Sequence, residues 1–311
     1  MKKAKIRSPF FYVGDKYKIM PQIIKLMPAD IDTYVEPFVG GGSSFLNVNA
    51  KKYLLNDIDS YVIKLHKFIS EFSHNPQELF DMMYREIENY GLSCSYKGIL
   101  APDELKRLYV KTYYARYNKE GYIKMRDDFN KNQNDYLKLY LLLIYGFNHM
   151  IRFNNSGKFN LPVGNVDLNK NVYNALEFYL DFMSNRDIEF YNYDYKEFMN
   201  MIPLNEKSYV FLDPPYLISM SEYNKLWNDE KENELYEFLD AIDEKGIKFG
   251  ITNLIFHKNR ENLIFHKWCK KYDIYDINSN YISYNDNSIK DNSKEVFVTN
   301  FKGDFNGQSI S

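Results

Sequence analysis

Cysteine is nearly absent: Cys94 and Cys269 are the two in 311 residues, far apart in the chain. Such a pair builds neither a disulfide framework nor a clustered thiolate site. The five histidines, His66, His74, His149, His257 and His266, lack a His-x-x-x-His spacing, so no metal is expected. Long apolar runs are missing too. The longest, residues 139–145, falls far short of the roughly 20 residues of a membrane span. The basic start Met1-Lys2-Lys3-Ala4-Lys5-Ile6-Arg7 leads into Ser8-Pro9-Phe10 and not into an apolar signal core. The expectation is a cytoplasmic protein with no membrane partner. With only 14 Gly and 10 Pro, collagen-like and low-complexity classes are excluded. Aromatics are abundant instead: 29 Tyr and 23 Phe bring Phe, Trp and Tyr to 17%.

The length allows two compact units or one large body with an insertion. Net charge is only −2, yet residues 91–165 hold 8 Lys and 4 Arg against 4 Asp and 2 Glu, together with nine Tyr and four Phe. Positive charge interleaved with flat stacking surfaces suits nucleic acid; a solvated helical face with inward aromatics explains it as well. β-prone runs at 33–36 and 52–56 flank a glycine turn, a strand, glycine turn, helix, strand pattern that continues into helical spacing from Ile58. Helical patterns dominate 103–117, 122–130 and 135–147. Alternation then resumes: helix 172–184, strand 187–191, helix 195–202, strand 208–212, helix 229–243, strand 247–251, helix 258–271, and β-like segments at 273–278, 280–284 and 295–301, the last two as a hairpin. This pattern predicts a Rossmann-like α/β sheet, mostly parallel with antiparallel C-terminal strands. The sheet-bearing body comprises 1–74 and 166–311, with a helical insertion at 75–165.

Two motifs carry chemistry. In Glu36-Pro37-Phe38-Val39-Gly40-Gly41-Gly42-Ser43 the glycines permit a sharp turn and close ligand approach. Asp57, after the next strand, can bind a ribose hydroxyl pair. A Gly-x-Gly-x-x-Gly spacing and a Walker lysine are both missing, so this is no phosphate loop. The second motif, Asp213-Pro214-Pro215-Tyr216, ends the strand at 208–212. Two prolines stiffen the chain and leave carbonyls beside the Asp213 carboxylate as fixed acceptors. Such an array accepts both hydrogens of an exocyclic amine, returning electron density to its nitrogen, while Tyr216 stacks on the base. A cysteine nucleophile is not expected, because neither Cys94 nor Cys269 follows a proline.

With these motifs in this order, the chain resembles the Dam-type, α-group (D12 class) site-specific DNA adenine-N6 methyltransferases. The likeness covers nearly its whole length. Phe11-Tyr12-Val13-Gly14-Asp15-Lys16-Tyr17 is similar to the family's N-terminal cofactor motif, with Tyr12 where Trp is common and Asp15 in place of a second glycine. The resemblance implies S-adenosylmethionine as cofactor, touched by Tyr12, Lys16, Glu36, Phe38, Gly40, Gly41, Gly42, Asp57, Asp194, Tyr195 and Asp213, with Asp194 taking the cofactor's adenine amino group. It implies catalysis by Asp213, Pro214, Pro215 and Tyr216. Double-stranded DNA is then the partner, met by Phe147, Asn148, Met150, Arg152, Asn154, Lys158 and Pro162. In this family an aromatic at Phe147 enters near a flipped adenine and an arginine at Arg152 reads a guanine edge; plain core packing and a surface ion pair are the structural alternatives for these two. A GATC-like site, a monomer and a separately acting restriction endonuclease follow from the same resemblance. Where family members specific for GATC carry a guanine-reading lysine before the N-terminal aromatic, this chain has Phe11, which cannot donate to guanine. Lys158, Lys290 or Lys294 are the expected substitutes. Competing readings are methylation of cytosine N4, RNA adenine or a protein glutamine, and a DNA-binding regulator of the same fold without turnover.

Overall fold

The computed structural model describes residues 6–12, 14–219, 227–278 and 293–302. The chain divides into two compact units. One comprises Lys16–Val39, Asn47–Ile58 and Asp187–Ser311 and contains the whole described sheet. Its strands are β1 Thr33–Glu36, β2 Lys52–Asn56, β3 Asp187–Tyr191, β4 Ser208–Leu212, β5 Lys248–His257, β6 Arg260–Glu261, β7 Asp273–Ile277 and β8 Ser293–Thr299. They lie in the order β3-β2-β1-β4-β5-β8-β7, with β6 paired to the end of β5. The first five of that order are mutually parallel, and β8 runs antiparallel between β5 and β7. The chain leaves β1 toward β2 and β3, then returns to β1's other side as β4. That reversal creates a switch point at the carboxyl ends of β1 and β4, where open α/β sheets bind ligands.

Burial explains why these segments are strands. All five residues of β4 are buried, as a strand covered on both faces requires. Val35, Leu54, Val210, Leu212, Phe249, Ile251, Val296 and Val298 share a core with α8 Tyr195–Met201, α9 Asp229–Glu244 and α10 Leu263–Trp268. The alternate positions Tyr34, Tyr53, Tyr209, Phe211 and Phe297 turn to the opposite face in a contiguous ring cluster. Much of the aromatic excess is therefore structural.

The other unit comprises Met1–Asp15, Gly40–Leu46 and Asp59–Arg186. Its helices are α2 Ser60–Ser70, α3 Pro76–Asn89, α4 Asp103–Leu108, α5 Tyr113–Lys131, α6 Tyr136–Tyr145 and α7 Lys170–Ser184. Every α6 residue from Leu137 to Tyr145 except Lys138 is buried, and α6 packs against α2, α3 and α5. Asp135 starts it by accepting from the Lys138 amide at 3.0 Å. Because α2 and α7 also belong here, this unit is wider than the 75–165 segment. Among the described residues no helix is long and apolar enough to cross a membrane.

Local expectations differ in three places, and a fourth lies outside the described residues. The glycine turn leads only to a single 3-10 turn, Phe45–Asn47, and not to a helix; Phe45 and Leu46 are buried at once and β2 begins five residues after that turn. The break between helices falls at 109–112 and not after 117, so that α5 runs unbroken through 122–130. The helix expected at 258–271 starts later. Lys258 and Asn259 adopt left-handed φ of 48° and 40°, the turn geometry that matches strand twist, and Asn262 then caps α10 through the Phe265 amide at 3.0 Å. The strand expected at 280–284 lies outside the described residues, and β8 pairs with β7 and β5.

Candidate active site

Asp213 follows the last residue of β4, at the switch point. Lys16 Nζ lies 3.0 Å from its Oδ1, and the Thr252 hydroxyl on β5 donates to the same oxygen at 2.8 Å. Burial pushes the Asp213 carboxyl above the usual range, and the Lys16 charge and the Thr252 hydrogen bond pull it back. Tyr216 is contacted at its hydroxyl and over its ring. Its hydroxyl donates to Glu295 Oε1 at 2.7 Å, and the Lys16 ammonium lies 4.7 Å from the ring centroid, within cation–π range. Lys16, expected at the cofactor, thus joins the residue that ends β4 to the ring three positions on. Thr252 and Glu295 escaped sequence reading. Their signal is weak: each is one of several polar residues in a largely buried strand.

A second cluster occupies the carboxyl ends of β1, β2 and β3. Asn56 Nδ2 donates to the Pro37 and Tyr193 carbonyls, each at 3.0 Å, and its Oδ1 accepts from the Tyr193 amide at 2.9 Å. One buried amide therefore ties three strand ends together. Next to it, the Asp57 carbonyl accepts from the Asn192 side chain at 2.8 Å. Asp194 caps α8 by accepting from the Lys196 amide at 3.0 Å. The Phe38 ring lies 5.4 Å from Tyr195 and 5.8 Å from Trp227. The Tyr195 hydroxyl is buried and has no hydrogen-bond partner among the described residues. Trp227 is held by the buried Glu232, which accepts from its indole N–H and also from Tyr236, Asn253 and Asn262. Glu36, at the end of β1, is buried.

In the helical unit the glycines serve packing. Gly42 has φ +82°, and a Cβ at Gly41 would come within 2.7 Å of the Tyr12 Cβ, so the N-terminal segment rests directly on the turn. Ser8 donates to the Gly41 carbonyl. His66 Nε2 donates to the Gly40 carbonyl at 2.9 Å, and its Nδ1 accepts from the Tyr179 hydroxyl at 2.7 Å, which defines a neutral tautomer. Burial lowers the His66 pKa to about 4. The unfolded chain takes this proton near pH 6.5, so the stabilisation is complete above that pH and disappears as pH falls toward 4, up to about 3 kcal/mol. Thermal melts from pH 7.5 to 4.5 should show this loss, and His66→Gln should flatten it. An unchanged slope in that variant would assign the acid sensitivity to other groups.

The segment expected to meet DNA forms a hairpin, bridged at Phe153↔Phe159 and Gly146↔Val163. Phe147 is 47% exposed, which rules out core packing. Asn148 and His149 have left-handed φ of 55° and 49°, Met150 is half-buried, and Lys158 and Pro162 are exposed. Asn154 braces the hairpin tip by accepting from the Ser156 and Lys158 amides, both at 3.0 Å. Arg152 is engaged internally: its Nε and a terminal nitrogen donate to the Asn160 side chain and carbonyl at 2.9 and 2.8 Å. Another arginine stands out. Arg7 is exposed, with its guanidinium carbon 4.3 Å above the Phe11 ring. Phe11 has a left-handed φ of 52° and lies 5.5 Å from the His149 ring. Three strained non-glycine residues thus adjoin one cationic stack, and such strain tends to concentrate at functional sites. Among the described residues no cluster of His, Cys, Asp or Glu suits a metal ion.

The family model for the D12 class N6 adenine-specific DNA methyltransferases matches residues 12–283. The chain is 33% identical to the Type II methyltransferase M.FokI of Planomicrobium okeanokoites and 30% identical to the modification methylase StsI of Streptococcus sanguinis. These matches cover 95% and 96% of this chain but only 43% and 44% of the relatives' lengths. The DNA adenine methylase of Escherichia coli K12 is 27% identical, over 80% of this chain and 81% of its own. The motif residues at the ends of β1 and β4, the switch-point sheet and the extent of the family match agree: the chain belongs to the D12 class N6 adenine-specific DNA methyltransferases.

Proposed function

We propose that this chain transfers a methyl group from S-adenosylmethionine to the N6 amine of adenine in duplex DNA. The observation that carries this reading is the Asp213-Pro214-Pro215-Tyr216 array at the end of β4, with its carboxylate held by Lys16 and Thr252. The residues present fit the cofactor. Phe38, Tyr195 and Trp227 offer an apolar wall for its adenine, and the buried, unpartnered Tyr195 hydroxyl offers a polar contact. Asp57 would hold the ribose and Asp194 the adenine amine. Tyr12 and the Gly40–Gly42 turn, both in the helical unit, are assigned to the same cofactor by motif resemblance. Bound there, S-adenosylmethionine supplies a methyl carbon made electrophilic by its sulfonium.

The protein's part is orientation and proton handling. Asp213 and the Pro214 carbonyl accept the two amine hydrogens, so that the nitrogen lone pair is no longer committed to the ring. Formation of the nitrogen–carbon bond would break the methyl's bond to sulfur and leave a neutral thioether; the amine would become cationic, and its proton would leave past the Asp213 carboxylate to solvent. Tyr216 stacks on the base. Extruding that base from the duplex costs a few kcal/mol, which stacking and these acceptors offset. Incubating the protein with S-adenosylmethionine and duplex DNA, then mapping N6-methyladenine by sequencing, tests the reading; methyl groups found on cytosine N4 or only on RNA would overturn it.

Residues 75–165 are assigned to target recognition, with Phe147 and Lys158 facing the duplex. Arg152, held in the hairpin by Asn160, is assigned to one guanine edge; for the other outer base pair, beside Lys158, Lys290 and Lys294, the candidate for the donor that Phe11 cannot supply is Arg7. Its fork matches guanine O6 and N7, and one such contact is worth about 1–3 kcal/mol of discrimination. Arg7→Ala should therefore relax a single outer base pair by roughly 5- to 150-fold in kcat/KM, measured on duplexes substituted one pair at a time. A uniform loss across all sites would show Arg7 to be a phosphate contact instead. A protein acting as a monomer, on a GATC-like site and beside a separate restriction endonuclease, completes the proposal.

A further inference from the structure

Glu295 lies on β8, between β5 and β7, opposite Leu254 and Ile277. Its side chain is 1% exposed. A carboxylate inside a sheet is costly unless its oxygens are satisfied, and here two partners belong to the candidate site: the Tyr216 hydroxyl at 2.7 Å and Lys16 Nζ at 3.8 Å. Lys16 is nearer to Asp213, at 3.0 Å. The tighter bond of Glu295 is therefore the one to Tyr216. The register of β5 against β8 shifts between Leu254 and Phe256, directly beside this contact, and such bulges serve to re-aim side chains next to active sites. The Ile255 carbonyl at the shift is taken by the Asn262 amide at 2.8 Å, so the irregularity is itself braced.

Tyr216 lies in a loop after β4, whereas Glu295 lies on a strand paired on both sides. A ring on a loop has two rotatable bonds, and Tyr216 shares a small buried cluster with Ile218 and Leu254. A hydrogen bond at the far end of the ring restrains the tilt. We propose that Glu295 is a positioning residue that anchors the Tyr216 ring as a pre-oriented stacking platform for the extruded base. This rests on the methyltransferase reading above. It acts through Tyr216, whose hydroxyl donates to the carboxylate.

The test uses Glu295→Ala, Glu295→Gln, Tyr216→Phe and the double variant Glu295→Ala/Tyr216→Phe. Four readouts apply: kcat, S-adenosylmethionine affinity by calorimetry, fluorescence of a duplex carrying 2-aminopurine at the target base, and the fluorine spectrum of 3-fluorotyrosine placed at position 216. Glu295→Ala should lower kcat roughly tenfold and diminish the 2-aminopurine rise, with cofactor affinity changed less than threefold. Tyr216→Phe should match it, and the double variant should be no worse than either single one, because both remove one interaction. Glu295→Gln should recover most of the activity, since an amide oxygen still accepts from the hydroxyl. Additive losses, a Gln variant as poor as Ala, or full activity in Glu295→Ala would each overturn the proposal. The fluorine spectrum separates the two readings. Should the wild type fail to methylate adenine, the methyltransferase reading fails. The anchor is still judged by whether the Tyr216 resonance shifts or broadens in Glu295→Ala and returns in Glu295→Gln; an unmoved resonance would overturn it.

Discussion

Asp213→Ala is expected to reduce methyl transfer by about 10²-fold or more while the protein stays folded. Asp213 stands past the end of β4 with 20% of its side chain exposed, so its removal opens no cavity in the apolar core. A hydrogen bond to a charged acceptor contributes about 1.5–3 kcal/mol, a factor of roughly 10 to 150 from that contact alone, and loss of the fixed negative charge beside a nitrogen becoming cationic adds to it. Cofactor binding should weaken less than turnover. The sign of the shift at Asp213 makes a further statement. Its folded pKa is raised, chiefly by burial, so its contribution favours the folded state only below the unfolded value of about 3.9 and is lost as pH rises through the folded value. At neutral pH the ionised carboxylate is thus held at a cost. Asp213→Asn, which keeps an acceptor without the charge, should melt no lower than wild type at pH 7. A radiolabelled methyl assay in which Asp213→Ala keeps more than a tenth of wild-type kcat would sink its assigned role.

DNA binding should be steeply salt-dependent although the whole chain is slightly acidic. Residues 91–165 carry twelve cationic side chains against six acidic ones. Three lysines pair with neighbours on their own helices, Lys106 with Asp103, Lys131 with Asp128 and Lys138 with Asp135. The first two pairs are largely exposed, and exposed pairs are worth about 0–1 kcal/mol, so phosphates compete with them readily. If about six phosphates are neutralised, counterion release predicts a fall in affinity of roughly 10³-fold between 50 and 200 mM salt. Fluorescence anisotropy on a labelled duplex measures this directly. A flat profile would move the DNA surface away from this segment.

Residue order by itself determined where chemistry can occur. The strand at 208–212 is legible because parallel strands covered on both faces must be apolar throughout, and it ends at an Asp-Pro-Pro-Tyr run that only a rigid turn accommodates. The α9 start is legible because Asn228 caps it, accepting from the Lys231 amide at 2.9 Å. The glycine run was equally visible, though not its use: Gly41 and Gly42 are required by Tyr12 and Phe45, which approach them through the fold.

Only the tertiary structure decided which side chains complete the site. Thr252 reaches Asp213 because β5 pairs with β4 in a register that sets Ile251 beside Leu212. Glu295 reaches Tyr216 because β8 inserts antiparallel next to β5 with a local shift. Arg152 turns to Asn160 across its hairpin, and Arg7 stacks on Phe11, contacts that are close in sequence but depend on how each loop is folded. Apolar periodicity and turn chemistry are local properties that a chain displays in order. Register, crossover and the pairing of buried charges are properties of two segments at once, and they exist only when both are folded together.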